Sequence, residues 1–158
     1  MNIPASQFNE LMTRFFTPVA KRAGFALNVL REGIYEIAGS KFTMRIRRGT
    51  GHHKDFVVTL SPREPDRDLD DLGGEIGLAV LAEYSGRPLH RHELDSIEDW
   101  QLAVEEAAHA ADELCVPYLI GQQSDLSGVR RLIEEKIEAS GIRTKKYRFP
   151  RNVREEWI

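Results

Sequence analysis

Residues 25–60, FALNVLREGIYEIAGSKFTMRIRRGTGHHKDFVVTL, decide the fold of this 158-residue chain. Apolar and polar residues alternate there with a period of two in four short runs, and segments containing glycine separate the runs. Such alternation is typical of strands that bury one face, and short connections favour antiparallel neighbours. The stretch therefore predicts a four-stranded antiparallel meander with strands over Phe25–Val29, Tyr35–Ile37, Phe42–Ile46 and Phe56–Leu60.

A helix is predicted before the strands, over about residues 6–22, because apolar side chains recur there at three-to-four spacing. Ser6 is the expected N-cap and Gly24 the expected stop. Pro18 removes one backbone donor, so we expect it to kink the last turn or to split off a short second helix. This helix is the natural cover for one face of the meander.

Three further helices are predicted after the strands. The first is a largely buried helix over residues 75–84. The second is a long helix that starts at a capping box of Ser96 and Asp99 and carries an apolar stripe from Ile97 to Tyr118, and we expect Pro117 to end or bend it. The third covers about residues 125–139, and we expect it to pair with the long helix as a C-terminal helical hairpin. The predicted fold class is α+β.

Length and composition predict a single domain over residues 1–158. The basic, aromatic segment 142–158 shows no clear period, and it is expected either to dock through its aromatic side chains or to stay free. The first residues lack the features of a secretory signal and no run is apolar enough to span a membrane, which predicts a cytoplasmic protein that makes no membrane contact.

Charge is segregated along the chain although the net charge is only −3. Residues 66–120 hold 3 Lys and Arg against 14 Asp and Glu, a net charge of −11, while both flanking segments are basic. Acidic side chains concentrate at 66–75 and 93–99, and they could form a negative patch that docks on a basic protein. The predicted partner-binding residues are Asp66, Asp68, Asp70, Asp71, Glu75, Asp95, Glu98 and Asp99.

No motif predicts catalysis, a cofactor or a metal. His90, His92 and Glu93 could in principle converge on zinc, but Arg87 and Arg91 beside them would oppose a cation, which favours a plain surface loop. The Glu106-x-x-His109 pair lacks the second such pair that di-metal bundles require. Cys115 falls on the apolar stripe of the long helix, where a cysteine usually acts as a small buried hydrophobe.

In size, α+β make-up, acidic runs and lack of catalytic residues, the chain resembles bacterial immunity proteins that neutralise a cognate toxin, including those of contact-dependent growth inhibition systems. The resemblance implies a cytoplasmic, non-enzymatic inhibitor that covers the basic active site of a nuclease. It is one of general character and transfers no residue roles. Oligomeric state stays open.

Two alternatives come from other functional classes. The first is a nucleic-acid-binding accessory protein that works through the tail, Arg143 to Arg151, where cations and aromatic residues interleave. The acidic middle of the chain would repel a polyanion, so we do not expect nucleic acid as the main partner. The second is a small-ligand binder or enzyme whose site has no sequence signature, which would require a pocket with convergent polar groups.

Overall fold

The computed structural model describes residues 2–49, 54–64 and 74–141. The predicted α+β class is confirmed: an N-terminal helix precedes an antiparallel sheet, and helices follow it. No helix in these ranges is both long enough and apolar enough to cross a membrane. In chain order the elements are α1 (Ala5–Ala23), β1 (Asn28–Arg31), β2 (Ile34–Ala38), β3 (Phe42–Arg48), β4 (Phe56–Pro62), β5 (Ile76–Gly77), α2 (Leu78–Tyr84), α3 (Ile97–Leu114), α4 (Val116–Leu119) and α5 (Ser127–Ala139).

The sheet has the order β1-β2-β3-β4-β5, and every neighbouring pair is antiparallel. Alternate residues of β2 and β3 are buried, as the period of two predicts. Tyr35, Ile46 and Val58 lie side by side on the covered face. Phe8 of α1 packs on the rings of Tyr35 and Trp100, so the sheet, α1 and α3 share one core.

The sheet has five strands where the sequence predicts four. The fifth, β5, pairs Gly77 with Thr59 and Ile76 with Leu60, and Ile76 is fully buried. The predicted helix over residues 75–84 therefore begins only at Leu78. The sequence does not reveal β5, because two residues are too few to show a period of two. The strand forms because, without it, the backbone donors of β4 would be unpaired at that edge of the sheet.

The predicted C-terminal helical hairpin is wrong, because α5 packs chiefly against α2 rather than against α3. The long helix ends at Leu114, and the short helix α4 follows with Pro117 in its first turn. Proline is favoured at the start of a helix and disfavoured inside one, so Pro117 separates α4 from α3. The extra turn redirects the chain and brings α5 to α2.

Three boundaries in the first third of the chain also differ from prediction. Helix α1 begins at Ala5, with Pro4 rather than Ser6 at the N-cap position, and it continues through Pro18 to Ala23. Because Phe16 and Val19 on either side of Pro18 are fully buried, packing outweighs the lost hydrogen bond. Strand β1 begins at Asn28 rather than at Phe25.

Candidate functional site

The predicted acidic patch is described only in part. Asp66, Asp68, Asp70 and Asp71 lie outside the described residues, as does the basic tail 142–158. The remaining acidic residues occupy two places. Glu75 lies just before β5, and Asp95, Glu98 and Asp99 lie at the start of α3.

Glu75 is held by an ion pair with Arg47, a β3 residue on the sheet face opposite to the core. The neighbouring Arg45 makes the same kind of contact with Glu36, at 2.8 Å. Cross-strand pairs of opposite charge stabilise a sheet surface. The carboxylate of Glu75 is therefore engaged in an ion pair within the chain.

Asp95 and Asp99 also have partners within the chain. The ammonium of Lys54 lies 2.7 Å from Asp95 Oδ1, and this hydrogen bond lowers the pKa of Asp95 and raises that of Lys54. Asp99 completes the predicted capping box, which is confirmed: its Oδ2 accepts from the backbone N–H of Ser96 at 3.1 Å, and its own N–H donates to Ser96 Oγ. Glu98 is exposed in the same first turn of α3.

Apolar side chains are exposed beside these acidic residues. Ile97 is 48% exposed, and Leu102, one helical turn after Glu98, is 57% exposed. We call the group of Asp95, Ile97, Glu98 and Leu102 the α3-start surface. It places carboxylates next to apolar area, and in protein interfaces a polar rim surrounds an apolar centre.

A cleft of about 330 Å³ opens between β4 and α3, a size at the lower end of small-ligand sites. The segment that joins α2 to α3, residues 85–96, forms one wall. The apolar side chains that line the cleft include Phe56, Val58, Leu89, Leu94, Ala103 and Ala107.

Glu106 of α3 gathers the polar groups at one end of the cleft. Its Oε1 accepts from the backbone N–H of His90 at 3.0 Å and contacts His92 Nε2 at 3.2 Å, and its Oε2 contacts His90 Nδ1. His90 is 82% exposed at the mouth of the cleft, whereas the Glu106 side chain is 26% exposed. One carboxylate thus fixes both imidazole rings.

Burial alone would raise the pKa of Glu106, but hydrogen bonds from His90 and His92 outweigh it and hold the pKa below the ordinary 4.5. The carboxylate is therefore ionised at neutral pH. Because a carboxylate only accepts hydrogen bonds, His90 Nδ1 and His92 Nε2 carry protons, and in the neutral rings the opposite nitrogens are acceptors.

Sequence reasoning missed Glu106 as the partner of both histidines and considered Glu93 instead. In the described part of the chain, no group of three or more His, Cys, Asp and Glu side chains is arranged to hold a metal ion. His90 and Glu106 are 16 residues apart, in different elements, so no local pattern links them.

Cys115 is fully buried, as predicted for a residue on the apolar stripe, and burial raises the pKa of its thiol to about 12. Nucleophilic catalysis needs the thiolate, which is scarce at neutral pH under these conditions. Cys115 therefore packs as an apolar side chain.

Comparisons with protein-family models, with curated proteins and with solved structures find no match for this chain.

Proposed function

We propose that this chain is a non-enzymatic protein-binding inhibitor, acting in the bacterial cytoplasm, that docks on a positively charged protein such as a toxin nuclease. The observation that supports the proposal is the α3-start surface, where Ile97 and Leu102 are exposed beside Glu98 and beside the ion pair of Asp95 with Lys54. A soluble protein can expose single apolar side chains without function, but here they adjoin carboxylates at a helix start.

In this proposal, acidic and apolar residues have different roles in binding the partner. Glu98 and the acidic run 66–71 attract a basic partner over distance and so speed its encounter. Leu102 then loses its hydration against the partner and slows dissociation. Asp99 contributes to the helix cap rather than to contacts with the partner, because its Oδ2 is occupied by the N–H groups of Asp95 and Ser96.

Co-purification with a basic protein encoded beside this gene tests the proposal. We expect the pair to elute together, and we expect a Leu102→Ser, Glu98→Gln double variant to weaken the complex by about tenfold, as the loss of roughly 1.4 kcal/mol would. Glu135→Gln on α5 is the matched control, because Glu135 is also exposed on a helix but lies away from α3. Equal affinities for the double variant, the control and the wild type would remove the α3-start surface from the proposal.

A further inference from the structure

We propose that the cleft between β4 and α3 is a binding site for a small amphipathic cation, an ammonium or guanidinium group carried on an apolar body. This inference does not rest on the protein-binding proposal, because none of the four residues of the α3-start surface lines the cleft. Its basis is the match between the two ends of the cleft and the two ends of such a ligand.

The apolar end of the cleft fits the body of the ligand. Phe56 and Val58 of β4 face Ala103 and Ala107 of α3, and the two alanines leave the space that larger side chains would fill. A volume of about 330 Å³ accommodates a ligand the size of one aromatic ring with a short chain. Burial of the ligand's apolar body in the cleft contributes to affinity through the hydrophobic effect and needs no specific contact.

The polar end offers hydrogen-bond acceptors. The Glu106 carboxylate has about four lone-pair sites, and His90 and His92 use three of them. In the neutral rings, the outer nitrogens His90 Nε2 and His92 Nδ1 are acceptors too. Acceptors on and around an ionised carboxylate select a donor-rich cation and disfavour an anion.

The nearby positive charges do not cancel this preference. Lys54 lines the cleft, but Asp95 holds its ammonium at 2.7 Å, and Asp55 adds a further carboxylate to the lining. Arg87 is ion-paired with Glu113 at 2.6 Å, and neither it nor the exposed Arg91 belongs to the lining. Apart from the two imidazoles, the charged residues of the lining are Lys54, Asp55 and Glu106, which together carry a net negative charge.

Binding of 2-phenylethylamine and of benzamidine at mildly alkaline pH, followed by NMR chemical-shift titration, tests the proposal. Their uncharged and anionic counterparts, 2-phenylethanol and phenylacetate, separate charge recognition from apolar binding. We expect saturable shifts from at least one of the cations at His90, His92 and Ala107, and at least tenfold weaker binding of 2-phenylethanol and phenylacetate.

Two variants and one control complete the experiment. Glu106→Gln should weaken cation binding by about tenfold or more, while Glu105→Gln, the adjacent helix residue outside the lining, should not change it. Ala79→Leu narrows the cleft from an exposed position of α2 and should also reduce binding, which keeps the test valid if Glu106→Gln unfolds. No saturable shift from either cation, equal binding of amine and alcohol, or full binding by a folded Glu106→Gln variant would overturn the proposal.

Discussion

Substitution of Asp99 distinguishes a structural role from a partner-binding role for this acidic residue. Asp99 Oδ2 accepts hydrogen bonds from the backbone N–H groups of Asp95 and Ser96, both at 3.1 Å, and both donors lie at the start of α3. Asp99→Ala removes both bonds and a negative charge from the first turn of an 18-residue helix. Loss of a side-chain cap at a helix N-terminus costs about 0.5–2 kcal/mol, and the lost charge–dipole interaction adds a few tenths.

Urea unfolding followed by circular dichroism measures the cost, with Glu98→Ala as the matched control because Glu98 lies in the same turn without a role in the capping box. We expect Asp99→Ala to lower the free energy of unfolding by about 1–2 kcal/mol and Glu98→Ala to change it by less than about 0.5 kcal/mol. Equal free energies of unfolding for the two variants would refute the structural role of Asp99. Asp99 would then be available to bind a partner.

Three other predictions concern the core, the cleft and the buried thiol. Gly39→Ala should lower the free energy of unfolding in urea by about 2–4 kcal/mol, because the added Cβ would lie 2.7 Å from the backbone oxygen of Leu119. Gly77→Ala is the control: the space around its Cβ is open, so its free energy of unfolding should stay within about 1 kcal/mol of wild type. Because the pKa of Glu106 is lowered in the folded state, its ionised carboxylate stabilises the fold above the ordinary pKa of 4.5, and this stabilisation is lost as pH falls through the lower folded pKa. The difference in unfolding free energy between wild type and Glu106→Gln should therefore shrink in that pH range. An unchanged difference would contradict the assigned hydrogen bonds. Cys115 should react with a thiol reagent at neutral pH only after urea is added, and rapid reaction in the native protein would contradict its full burial.

The sequence predicts the elements whose pattern is local. The alternation from Phe42 to Ile46 identifies a strand because one face of the sheet meets the core, and Ser96 with Asp99 identifies the start of α3 because the capping box spans only one turn. The strand Ile76–Gly77 could not be predicted, since its pairing with β4 depends on residues distant in sequence.

Helix packing and the cleft depend on tertiary contacts, which a single sequence does not encode as a pattern. Helix α5 approaches α2 closely at Gly128, where an added Cβ would lie 2.1 Å from the hydroxyl oxygen of Tyr84. Likewise, His92 and Glu106 are 14 residues apart, and only the fold brings them together. The acidic residues were visible in the sequence, but the ion pair of Glu75 with Arg47 was not.

The central proposal is tested most directly by the rate at which the chain associates with the basic protein encoded beside its gene. Stopped flow at low and at high salt measures this rate. We expect rapid association at low salt, a fall in rate as salt screens the charges, and a smaller salt dependence for Glu98→Gln than for Glu135→Gln. Absence of association, or an association rate that neither salt nor Glu98→Gln changes, would contradict the central proposal.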